Sequence, residues 1–85
     1  MDHLHLREYI QGGRVVKVSI DMQSNVLLMD DINYSHYKNG HSFRHQGGFA
    51  KESPVLIKVP NSGNWNVVID LGGGSGTIRH NIEII

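Results

Sequence analysis

The stretch Val55–Ile85, VLIKVPNSGNWNVVIDLGGGSGTIRHNIEII, decides the fold. Trp65, Val67, Ile69 and Leu71 alternate with Asn66, Val68 and Asp70, a period of two that marks a strand with one buried side. Val55, Ile57 and Val59 alternate with Leu56 and Lys58 in the same way just before it. Pro60-Asn61-Ser62-Gly63 joins the two runs. Proline presets an early turn position, Asn and Ser bond the local backbone, and Gly supplies positive φ, so the link reads as an antiparallel hairpin. Gly72-Gly73-Gly74-Ser75-Gly76 then reverses the chain into Thr77 to Ile84, where Ile78, Ile82 and Ile84 share a face. The expectation is a three-stranded meander.

Upstream, Leu4 and Leu6 share one face of a first strand, with His3, His5 and Arg7 on the other, and Gln11-Gly12-Gly13 breaks it. Arg14 to Met22 buries Val16, Val18, Ile20 and Met22. Val26-Leu27-Leu28-Met29 is apolar without alternation, as in a strand covered on both faces. From Asp30 to Ser53 no period is sustained. Asp30 or Asp31 can cap a helical turn or two at Ile32–Lys38, with Gly40 as its left-handed stop. His41–Gln46 reads as a short strand, Gly47-Gly48 as a bulge or turn, and Phe49–Lys51 as a further strand. Long irregular stretches in small domains often carry function. The fold class is all-β. It is a single domain over 1–85, a small antiparallel β-sandwich, jelly-roll-like, or a partly open barrel of about six to eight strands.

Eighty-five residues leave few apolar side chains to spare from the core. Cysteine is absent, which excludes disulfides and thiolate chemistry. Formal charge is zero, so the molecule has no general attraction to nucleic acid or anionic lipid. The opening MDHLHLREYIQGG lacks the features of a secretory signal, and no run approaches the ~20 apolar residues of a membrane span. A cytoplasmic location is expected.

The opening MDHLHL, then GGRVVKVSI, VLLMDDINYSHYKNG, SPVLIKVPNSGNW and VVIDLGGGSGTI run in order through almost the whole chain. In these the sequence resembles the bacterial domain-of-unknown-function family numbered 1883. The resemblance implies a small all-β domain, found alone or fused to a Toll/interleukin-1-receptor-like domain. It implies a recognition or sensing role beside an effector and lends no catalytic residues.

From Tyr34 to Lys51 there are three cations and three histidines and not one carboxylate. Tyr34, His36, Tyr37, Lys38, His41, Arg44 and His45 are the candidate binding residues, with Phe43 and Phe49 interleaved. Cations fix a phosphate or carboxylate and aromatic faces stack on a base or sugar, so a small anionic or nucleotide-like ligand is the expected class. The plainer reading is a solvated loop whose aromatics cap the core. His3 with His5, and His41 with His45, supply two nitrogens each, short of the three or more that zinc needs, so no metal and no cofactor are expected. His80, between Ile78 and Ile82, reads as a satisfied core or edge histidine or as a pH switch. The glycine run at 72–76 lacks the Lys-Ser/Thr and helix of a phosphate-binding loop, and Trp65 reads as a core anchor rather than a sugar platform. No nucleophile with its base stands out. A non-enzymatic recognition module is favoured. The alternative is a protein-interaction or homo-oligomeric module that uses edge strands and Val15, Leu56 and Val68 on outer faces, and a small hydrolase comes last.

Overall fold

The computed structural model describes residues 3–71 and 78–85. Seven strands and one helix follow in the order β1 (His3–Ile10), β2 (Val15–Ile20), β3 (Ser24–Asp30), α1 (Asp31–Lys38), β4 (Gln46–Ala50), β5 (Val55–Lys58), β6 (Gly63–Asp70) and β7 (His80–Ile84). They form two antiparallel sheets, β1-β6-β3-β4 and β5-β2-β7. This is a sandwich, with no closed barrel among the described residues.

The pairing is nested: β1 with β6, β2 with β5, and β3 with β4. It is the pattern of one long antiparallel ribbon, β1-β2-β3 against β4-β5-β6, rolled so that β6 also meets β3. That makes the sandwich jelly-roll-like. Helix α1 sits at the tip of the ribbon, between β3 and β4, and folds back over the outer face of the four-stranded sheet.

The meander expected over Val55–Ile85 does not form. β5 and β7 flank β2 in one sheet while β6 lies between β1 and β3 in the other. Alternation tells which side chains face the core but not which strand lies alongside, and both sheets send the same parity inward. Pro60–Gly63 is thus a corner between sheets. Trp65 is held there by its indole N–H, which donates to Asn61 O at 2.9 Å. The glycine turn at 72–76 lies outside the described residues.

Between the sheets Val16, Val18, Ile57, Val59, Trp65, Val67 and Ile69 are buried, as the alternation required, together with Val26 and Leu28 of the unbroken apolar run. β3 is covered on both sides, since Leu27 and Met29 are buried beneath α1 with Val68 and Tyr37. Val68, expected on an open outer face, is therefore a core residue. Val15 is half-buried and Leu56 exposed. Met22 lies past the end of β2 and is exposed. His80, expected on the apolar face, opens β7 opposite Ile20 at the sheet margin and is exposed.

Helix α1 starts where Asp30 Oδ1 accepts from the Asn33 backbone N–H at 2.8 Å, and Gly40, at φ +75°, follows its end. Residues 41–45 are not a strand; instead one strand runs through both glycines to Ala50. Gly47, at φ +86°, is required there, because a Cβ would stand 2.3 Å from Val26 O. Its close approach serves the sheet.

Candidate functional site

The outer face of the four-stranded sheet, expected to be solvated, is a roofed polar layer. β6 contributes Asn66, wholly buried, and Asp70, 8% exposed. Asn66 Nδ2 donates to Asp31 Oδ1 at 2.9 Å and to Met29 O at 3.3 Å. Its Oδ1 is then left to accept from His5 Nε2 at 2.7 Å, which fixes the proton of that imidazole on Nε2. Asp31 also takes a two-pronged grip from Arg7 at 2.8 and 2.9 Å. The Arg7 and Asn66 bonds hold the Asp31 carboxyl down at about 2, and the same pairing raises Arg7.

The aromatic side chains of α1 close the layer. Tyr34 stacks on His5 with ring centroids 4.0 Å apart, and its hydroxyl bonds His3 Nε2 at 2.9 Å. Lys38 Nζ lies 4.7 Å over the Tyr34 ring. The Tyr37 hydroxyl donates to Asp70 Oδ2, and Phe43 meets the Tyr37 ring edge-to-face at 5.2 Å. Burial raises both tyrosines, Tyr37 further through its bond to Asp70. Burial is also the main influence that lowers His3, whose Nδ1 has no hydrogen-bond partner.

The seven candidate residues therefore separate into four settings. Tyr34 and Lys38 join β1 histidines that the sequence had grouped elsewhere. Tyr37 is a buried anchor. His36 and His41 stand together at the helix end, ring centroids 6.1 Å apart. Arg44 and His45 lie on the segment that returns to β4, where Arg44 lines one cleft between elements and His45 lines two. Among the described residues no group of three or more His, Asp or Glu side chains could hold a metal ion.

One cleft, of about 230 Å³, opens between Arg44-His45-Gln46 and the corner at Pro60-Asn61, with Asn33 and Trp65 behind it. The Arg44 backbone is pinned to the helix, its N–H donating to Asn33 Oδ1 at 2.7 Å. The only ion pair among the described residues is Arg7–Asp31, so the Arg44 guanidinium has no carboxylate partner there. A second cleft, of about 450 Å³, lies on the other side of His45 and is lined by Tyr37, Phe43, Phe49, Asn25, Leu27 and Asp70. Sequence reasoning missed Asn33, Asn61 and Trp65. Period and turn chemistry assigned them to a helical turn, a hairpin and the core; the backbone bond from Arg44 brings Asn33 to the cleft, and the change of sheet at Pro60–Gly63 brings Asn61 and Trp65.

Fold and site define a small two-sheet β-sandwich with a helix roof and, beside it, a cleft lined by Arg44. Over residues 1–85 the chain matches the family described as a domain of unknown function, DUF1883, and it belongs to that family. No curated protein matches it, and no solved structure does. No helix among the described residues is long and apolar enough to cross a membrane.

Proposed function

We propose that the chain is a non-enzymatic recognition module whose ligand carries a small anionic group, a phosphate or a carboxylate, bound at Arg44. One observation carries this reading: Arg44 lines a cleft, is fixed at its backbone by Asn33 and has no carboxylate partner among the described residues. A guanidinium presents a planar fork of donors that matches an oxyanion. His45, Gln46 and Asn61 stand around the same cleft and offer further donors. Asp30, the carboxylate on that wall, already accepts from the Asn33 backbone and side chain at 2.8 Å each. Sites for whole drug-sized molecules span roughly 300–1,000 Å³. A cleft of about 230 Å³ suits one anionic group.

Calorimetric titration with inorganic phosphate tests this. Saturable binding that Arg44→Ala weakens about tenfold, the scale of one charge-assisted bond, is expected. Identical isotherms for the two proteins would remove Arg44 from the site.

A second reading, self-association, rests on β7. Val15 and Ile85 exchange both backbone bonds, so alternation turns the N–H and C=O groups of His80, Ile82 and Ile84 outward. A second β7 laid antiparallel about Ile82 would set Asn81 against the other copy's Glu83, a complementary pair. Arg14 Nη2 already bonds Ile84 O at 3.2 Å and guards one end of that edge. Sedimentation that shows a monomer at all concentrations would dispose of this second reading.

A further inference from the structure

We infer that the second cleft is a ring subsite for the same ligand, which makes that ligand a nucleoside phosphate rather than a bare oxyanion. The inference rests on the Arg44 reading above and adds the other half of the molecule bound there. His45 lines both clefts, so a ligand held by its anionic group at Arg44 meets the aromatic cleft next.

That cleft is built for a flat ring. Phe49 is 59% exposed on the edge strand β4, although a chain of this size has few apolar side chains to spare for solvent. Phe43 is held by Tyr37 edge-to-face at 5.2 Å and by His45 at 5.4 Å. Tyr37 in turn is anchored by its hydroxyl to Asp70, so the carboxylate on this wall already accepts a hydrogen bond. Asn25, opposite Phe49 in the β3–β4 register, sets an amide beside the aromatic surface. An amide has both a donor and an acceptor, the pattern that reads the edge of a base. At about 450 Å³ the cleft falls within the range of small-molecule sites, which the Arg44 cleft does not reach. A sugar phosphate would fill the first cleft and leave the aromatic surface bare. Stacking on an aromatic side chain is sequence-tolerant, since every base has a flat face. The class is thus a nucleoside phosphate, with the base undetermined by stacking alone.

The test compares inorganic phosphate, ribose 5-phosphate, AMP, UMP and adenosine by amide shift titration of the whole chain. The mononucleotides are expected to bind about tenfold more tightly than ribose 5-phosphate, the gain from one stacked base. Phe49→Ala, on an exposed side chain, should erase that gain and leave phosphate affinity unchanged. Arg44→Ala should weaken every phosphate-bearing probe and not adenosine. Equal affinity for ribose 5-phosphate and both mononucleotides, or a nucleotide affinity indifferent to Phe49→Ala, would overturn the ring subsite while the Arg44 reading stood. Adenosine binding that needs Phe49, without any response to phosphate, would overturn the Arg44 reading and with it the nucleoside phosphate.

Discussion

The two faces of the four-stranded sheet are made from alternate residues of the same strands, yet they solve different problems. On the inner face Val26, Leu28, Trp65, Val67 and Ile69 meet the second sheet, and apart from the Trp65 indole and the buried Ser24 at the start of β3 the packing is apolar. On the outer face Asn66 and Asp70 flank Val68, and their hydrogen bonds run to α1, to β1 and to the backbone of β3. Apolar burial is tolerant of detail, whereas a buried amide or carboxylate is stable only while its partners stay in place. The inner face therefore sets how stable the molecule is. The outer face sets where α1 sits, and so where the segment that carries Arg44 and His45 leaves the helix.

The largest expected effect breaks the inner face alone. Leu28→Ala should cost about 2–5 kcal/mol in denaturant unfolding, since a wholly buried leucine leaves a cavity between sheets. Tyr37→Phe should cost less, about 1.5–3 kcal/mol, by taking from the nearly buried Asp70 the donor of the Tyr37 hydroxyl. It should also shift amide resonances of 41–45, which Leu28→Ala should not. If the two variants disturb the same resonances, the faces do not act separately.

Acid sharpens the contrast. The folded Asp31 carboxyl lies at about 2, below the 3.8 of a free one, so its contribution is complete above about pH 4 and is lost as pH falls through 2. Asp31 is half exposed and screened by solvent, so the effect is a modest extra slope in that window. Asp31→Asn should flatten it. The smallest effect belongs to His3. Burial and His5 lower its folded pKa against a weaker pull from Asp70, so stability should decline as pH falls below 6.5. His3→Gln should reduce that decline, and a curve unchanged by the substitution would contradict the assignment.

Much of the inner face was legible from residues alone. The alternation in β2 and β6, the unbroken apolar run of β3 and the Asp30 cap each state a local requirement that the fold satisfies. The order of strands was not legible, because a period of two says nothing of neighbours. Val68 shows where the outer face hid. A valine between Asn66 and Asp70 reads as a stray on a wet face until a helix distant in sequence is laid over it. The same gap scattered the candidate site. Tyr34, His36, Tyr37, Lys38, His41, Arg44 and His45 are near in sequence, but a helix sends the first four around its axis, so that Arg44 shares one cleft with His45 while Tyr37 shares another with it.

The most direct measurement is a backbone amide shift map of the intact chain during titration with inorganic phosphate. Shifts should be confined to residues 44–46, to Asn33 and to Asn61, with the strands of the three-stranded sheet silent. A response centred instead on His36 and His41, or none at millimolar phosphate, would contradict binding at Arg44.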